Sequence, residues 1–239
     1  MAAVKVQSPS AFASASATTI AVTLAATAAG NALIACISRR DGNAITGVAD
    51  SSGAGTWSAV ASVTSMNFLT CQTTIYVKPN IGAGITSVTV TFAAGNRDRG
   101  ITVFEVSGLA TTFAAITAPP TSTTKGDTQG SNPVLNALTA AGNVFVVGFL
   151  GADDPCTGGT GDSFLVATLN TSGPIFVTHG ASYKIGGAGT YTPSWVNGGN
   201  PHYGGIVAGF NEAAAAGNPW YAPANRLVRS RRVTRRRRL

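Results

Sequence analysis

The side chains able to do chemistry are few and scattered. The chain holds two histidines, His179 and His202, two glutamates, Glu105 and Glu212, and three cysteines. Nucleophilic catalysis needs a base beside a serine or cysteine, with a third group orienting that base. The G-x-S-x-G elbow is absent and no Cys-His signature occurs. His179 falls inside a strand-like run and His202 follows Pro201 in a turn, so both read as ordinary polar residues. Glycoside hydrolysis needs two carboxylates flanking one bond, and two isolated glutamates do not suggest that pair. Gly-rich stretches such as Ser52-Gly53-Ala54-Gly55 lack the lysine and hydroxyl of a phosphate loop. These residues predict a non-enzymatic protein with no cofactor.

The best candidate site is the loop Gly151-Ala152-Asp153-Asp154-Pro155-Cys156, closed by Gly161-Asp162. Three carboxylates on a Gly-rich loop suit calcium, a hard cation that takes several oxygen ligands. Their spacing does not follow the EF-hand, and Asp-Pro and Gly-Asp are equally typical of turns in which Asp caps its own backbone. The turn reading is preferred, and no metal site is assigned. Cys36, Cys71 and Cys156 have no metal-ligand spacing. Two readings stay open for the first two, buried free thiols or a Cys36–Cys71 disulfide, and their apolar surroundings favour thiols.

Charge is the sharpest feature. The net charge is +7, yet eight of the 16 basic residues fall near the C-terminus: Arg226, Arg229, Arg231, Arg232, Arg235, Arg236, Arg237 and Arg238. Residues 1–218 hold the other eight against all nine acids. A nearly neutral body therefore carries a strongly cationic arm. Like charges so close together repel one another and do not fold alone. Arginine's planar fork pairs with carboxylate or phosphate through two parallel hydrogen bonds, which suits docking on an acidic protein or on nucleic acid. A plain solubilising tail is the alternative. Ahead of the arginines, Trp220 and Tyr221 sit between Pro219 and Pro223. A Pro-bracketed aromatic pair outside the core is expected to insert into a partner. Trp57 and Trp195, by contrast, lie in strand-like runs and are expected to pack the interior rather than form a sugar-stacking platform.

The elements that must carry these residues are strands. Charged residues are only 10% of the chain, hydrophobic residues 44%, and turn signals recur about every ten residues. Strands are predicted at Thr18–Leu24, Ala32–Ser38, Ala44–Ala49, Thr56–Val63, Thr70–Lys78, Thr86–Phe92 and Ile101–Ser107. A second set follows at Val134–Leu138, Val144–Leu150, Ser163–Leu169, Ile175–Lys184, Thr190–Val196 and Gly205–Phe210. Alternation is clear in Ser87-Val88-Thr89-Val90-Thr91-Phe92. No stretch approaches the ~20 apolar residues that span a bilayer, so no membrane association is expected. Met1 to Ser16 lacks the apolar run of a signal peptide.

The two sets resemble copies. Thr27-Ala28-Ala29-Gly30-Asn31 and Thr139-Ala140-Ala141-Gly142-Asn143, 112 residues apart, each precede an apolar strand. Tyr76-Val77-Lys78 leads into Ile81-Gly82-Ala83-Gly84, and Tyr183-Lys184 leads into Ile185-Gly186-Gly187-Ala188-Gly189. The period is too long for a solenoid. It predicts two similar β-units joined in one intimate sandwich, with Thr111–Ser131 as a surface loop between them. The expected organisation is an N-terminal extension over 1–17, a sandwich over 18–212 and a basic arm over 213–239.

Three runs stand out: Ile45-Thr46-Gly47-Val48-Ala49-Asp50-Ser51-Ser52-Gly53 with Thr56-Trp57, Thr74-Ile75-Tyr76-Val77-Lys78-Pro79-Asn80, and Ile101-Thr102-Val103-Phe104-Glu105-Val106-Ser107-Gly108. They resemble segments of tailed-phage structural proteins and related bacterial surface proteins. The likeness spans roughly residues 18–211 and excludes the arm. It implies an all-β, jelly-roll-like β-sandwich and a virion component assembled in the host cytoplasm. Among virion roles, the arm favours a capsid cement or decoration protein. Its partner would be the major capsid protein or another virion subunit, and its oligomer a closed one with a trimer favoured. A tail or fibre module that binds host carbohydrate, and a virion protein whose tail contacts packaged nucleic acid, are the alternatives.

Overall fold

The computed structural model describes residues 2–65, 71–118, 122–153, 156–159, 164–172, 177–196 and 199–214. Nearly every element among them is a strand, and the strands form two copies of one arrangement. In the first half the large sheet is centred on β4 (Ala32–Arg39), flanked by β9 (Arg99–Ser107) and β7 (Cys71–Lys78). β6 (Ser58–Ser65) closes one edge, and β1 (Val4–Gln7) and β2 (Ser10–Ala13) both pair with β9 at the other. A smaller sheet of β3 (Ala17–Thr23), β8 (Ser87–Asn96) and β5 (Ile45–Asp50) lies against it. All named pairings are antiparallel.

The second half repeats this order. β12 (Val144–Ala152) is central, between β18 (His202–Asn211) and β15 (Val177–Gly186), with β10 (Ser122–Gln129) and β14 (Leu165–Ser172) at the edges. The counterpart of the small sheet is two ribbons, β11 (Leu138–Ala140) with β16 (Gly189–Tyr191), and β13 (Thr157–Gly159) with β17 (Trp195–Val196). Ala32 and Val144 open equivalent strands, 112 residues apart in agreement with the repeated turn. β6 lies over β10 and β18, and β2 over β14. The β6–β10 and β2–β14 contacts change places when the halves are exchanged, as a pseudo-twofold requires.

Three apolar layers hold the stack together. One fills the space between large and small sheets of the first half, where Leu33, Ala35 and Ile37 meet Val88, Val90 and Phe92. Another fills the second half, around Val146, Leu150, Tyr191 and Trp195. The third lies between the two large sheets, where Ile34, Cys36 and Phe104 meet Phe145, Phe149 and Phe210. The expectation of two units merging into one sandwich is therefore sharpened: each unit is two-layered, and the units are fused face to face. Both central strands are covered on both faces, so all eight residues of β4 and all nine of β12 are buried. That accounts for their near-continuous apolar sequence, in place of the alternation seen in a sheet with one wet face.

The largest departures from the sequence-based expectation are at edges. The stretch read as an N-terminal extension supplies β1 and β2 to the large sheet. The stretch read as a connecting loop carries a short helix, α1 (Phe113–Ile116), and the edge strand β10. β10 reads Ser-Thr-Thr-Lys-Gly-Asp-Thr-Gln, with no apolar face, and is held by backbone pairing to β18. Hydrophobic periodicity carries no signal for such a strand. The predicted strand Thr190–Val196 is divided between two ribbons.

Gly205 shows how tightly the second half is built. A methyl group there would lie 2.3 Å from the Phe149 carbonyl oxygen and about 3 Å from both Leu135 methyls. Backbone on a central strand cannot retreat. Gly205→Ala is expected to lower the unfolding free energy by about 1–3 kcal/mol, the usual range for overpacking. Urea denaturation measures it, and an unchanged midpoint would show that β18 can shift.

Candidate functional site

The polar constellation with the most reactive appearance lies in the layer between the two large sheets. His179, on β15, reaches across to the first half. Its Nδ1 is 2.7 Å from Ser38 Oγ on β4, and its Nε2 is 2.8 Å from Thr102 Oγ1 on β9. Phe12 and Phe149 pack edge-on against the ring, with centroids 5.1 and 4.8 Å away. A serine bonded to an imidazole resembles a nucleophile and its base. Here His179, Ser38 and Thr102 are all buried, and a second hydroxyl occupies the position where a carboxylate would orient the base. Burial lowers the His179 pKa from 6.5 to about 3, which keeps the ring neutral. One ring N–H donates to one hydroxyl and the bare nitrogen accepts from the other. The arrangement ties the halves together.

Both glutamates serve the repeated turn. Glu105, on β9, is buried and accepts from Gln7 Nε2 at 2.6 Å, the Ala28 N–H at 3.0 Å and Asn31 Nδ2 at 2.6 Å. Glu212, just beyond β18, accepts from the Ala3 N–H at 2.9 Å and from Asn143 Nδ2 at 3.2 Å. Asn31 and Asn143 are the equivalent last residues of the two Ala-Ala-Gly-Asn turns. Each half thus uses its asparagine and its one glutamate to fasten the turn before its central strand to the N-terminal segment or to the closing strand.

The third polar cluster surrounds Asp50. Its carboxylate takes the Lys78 ammonium at 2.5 Å, the Trp57 indole N–H at 3.0 Å, the Ser52 N–H at 3.1 Å and the Ser52 hydroxyl. Burial by itself would raise the Asp50 pKa; the hydrogen bonds from Lys78, Ser52 and Trp57 outweigh it and hold the carboxyl below its ordinary range. Lys78 also donates to the Ala54 carbonyl. Together they pin the loop 51–57, and shallow clefts of about 370 and 330 Å³ lie on its two sides.

The predicted docking residues Trp220, Tyr221, Arg226, Arg229, Arg231, Arg232, Arg235, Arg236, Arg237 and Arg238 lie outside the described residues. Of the weighed calcium ligands, Asp154 and Asp162 also lie outside them. Asp153 exchanges bonds with His202, accepting from its N–H at 2.8 Å and donating to its carbonyl at 3.1 Å. The Asp153 carboxylate is thus a strand-end brace. Among the described residues, no group of three or more His, Cys, Asp or Glu could hold a metal ion. His202 Nδ1 also meets Asp127 at 3.1 Å, and both side chains are partly exposed. The three cysteines are buried thiols that form no disulfide, and burial pushes the Cys71 thiol up to about 12. Trp57 and Trp195 are buried, as expected, and offer no stacking platform. No described helix is long and apolar enough to cross a membrane.

Sequence reasoning missed the Ser38–His179–Thr102 bridge and the Glu105 cluster. A signal existed for each: an ionisable residue, His179 or Glu105, inside a strand-like run. The partners, from 74 to 141 residues away, had no local signature. Comparison with protein-family models, with curated proteins and with solved structures finds no match.

Proposed function

We propose that this chain is a non-enzymatic structural protein of a virus-like particle, a capsid cement or decoration protein of the tailed-phage type. In this reading the β-body sits on the shell and the arginine arm holds it to acidic capsid subunits. The observation that carries it is the division of charge: eight arginines in the arm, and a body with eight basic residues against nine acids. The way the body uses its charges supports the same reading. Lys78 is bonded to Asp50, Arg40 to Asp98 at 3.1 Å, and Arg99 to the backbone carbonyls of Ala15, Thr19 and Asn96. Glu105 serves a turn. These body charges are committed to the fold, whereas the arm concentrates eight arginines in one short run. Isolated surface pairs are worth only ~0–1 kcal/mol each, so tight holding needs many together, repeated over a closed oligomer.

The test removes Asn218–Leu239 and measures retention on particles that lack the protein. Truncation is expected to lower retention by at least about tenfold, as loss of a multivalent anchor does. Unchanged retention at low and high salt would reduce the arm to a solubilising tail. Release governed by salt, with a log–log slope of several units and competition by free DNA, would identify packaged nucleic acid as the partner instead.

A further inference from the structure

One apolar groove of the body has exposed walls and an aromatic floor. Where the two large sheets diverge at one corner, Val4 and Lys5 of β1 face Leu165 of β14 and Tyr183, Lys184 and Ile185 of β15 across about 430 Å³. Val4 is 53% exposed, Leu165 60% and Ile185 41%, although all three flank the inter-sheet core. Tyr183 forms the floor. It stacks on Phe145 (centroids 5.5 Å apart, planes 17° apart) and meets Phe104 at 6.0 Å. The Lys5 ammonium lies 5.1 Å from the Tyr183 ring centre. The aromatic cluster of the core therefore runs outward to the surface and stops there.

The described chain ends beside this groove. The Ala213 N–H donates to the Gly108 carbonyl at 2.8 Å, and Glu212 holds the Ala3 N–H at 2.9 Å, one residue before Val4. Across the second large sheet, Asn211 pairs with Val144 and Val144 with Gly186, the neighbour of Ile185. Two strand spacings are about 10 Å. From Ala214, six residues lead to Trp220, a span of up to about 20 Å. We infer that this groove is the seat of the chain's own Trp220–Tyr221 pair, which clamps the root of the C-terminal arm to the body.

The chemistry matches the occupant. An added indole or phenol ring extends the Phe104–Phe145–Tyr183 cluster in the offset or edge-on contacts that aromatic rings favour. The Lys5 ammonium, already beside the Tyr183 ring, is suited to a ring face, whereas it repels arginines. The part of the arm nearest the body is therefore the part that seats, and Arg226 to Arg238 are left for the acidic partner. Seating within one chain is favoured over seating in a second copy because a short tether supplies an effective concentration near millimolar. The clamp goes beyond the proposed function and does not depend on what the arginines bind.

Comparing emission of the full chain with that of Trp220→Phe isolates the Trp220 signal, since Trp57 and Trp195 are common to both. Trp220 is expected to emit at short wavelength and resist acrylamide quenching. Dilution over about a hundredfold should leave both properties unchanged, as an intramolecular contact requires. Leu165→Glu and Ile185→Glu, at positions already exposed, should leave the circular dichroism unchanged. In each, Trp220 emission should shift to the red and its quenching constant rise several-fold. Solvent-like Trp220 in the unaltered chain, protection untouched by both groove variants, or protection lost on dilution would each overturn the assignment, the last in favour of a second copy. Particle retention reports separately on the arginines: its failure to respond to arm deletion would leave the fluorescence result standing.

Discussion

Replacing His179 by alanine is expected to lower the unfolding free energy by about 3–5 kcal/mol, as large-to-small substitutions in sealed cores do. Two losses combine. The ring fills the space between Phe12 and Phe149, and its removal leaves a cavity in the layer joining the two halves. Ser38 and Thr102 also lose their shared partner while remaining buried, at a typical cost of about 1–3 kcal/mol for each unsatisfied group. His179→Phe separates the two effects, restoring volume without restoring hydrogen bonds. A loss below about 1 kcal/mol for the alanine variant would show that the halves are held without this bridge.

The same residue sets an acid limit. Unfolded, His179 takes a proton as pH falls through 6.5; folded, burial delays this to about 3. Between those values the unfolded state binds the extra proton, so its contribution to stability is complete above pH 6.5 and falls by about 1.4 kcal/mol per pH unit below it. His179→Phe should flatten that slope in urea titrations run from neutral to acid pH. Parallel slopes for the two proteins would assign the acid sensitivity elsewhere.

Glu105→Ala is expected to cost about 3 kcal/mol, because three donors lose a charged acceptor and the Asn31 amide and the Ala28 N–H are left without one. Glu105→Gln keeps an oxygen for the Ala28 and Asn31 donors but turns its amide N–H₂ toward the Gln7 donor, so it should recover only part of the loss. Glu212→Ala removes the equivalent brace in the second half, where the contacts are partly exposed, and should cost about 1 kcal/mol. Thermal unfolding of the three variants orders them. Equal losses at Glu105 and Glu212 would show that burial does not set the difference between the two braces.

The amino-acid sequence by itself determined that the protein is all-β, that its two halves are copies and that its charge is concentrated in one arm. Each is a local or periodic property. Alternation in Ser87–Phe92, the turn Thr27–Asn31 repeated at Thr139–Asn143, and the run of arginines from Arg226 can all be read without knowing what touches what. The buried fate of Trp57 and Trp195 was equally legible, since large rings on strands seek cover. Tertiary structure decided the rest. It placed β10, whose Thr-rich sequence has no apolar face, at a sheet edge through backbone bonds that carry no side-chain code. It stacked the two units through their large sheets, because continuous apolar strands such as β4 and β12 must be covered on both faces. It also turned His179 from a lone polar residue into the bridge between halves, since Ser38 and Thr102 come within hydrogen-bond reach only when two sheets distant in sequence pack face to face.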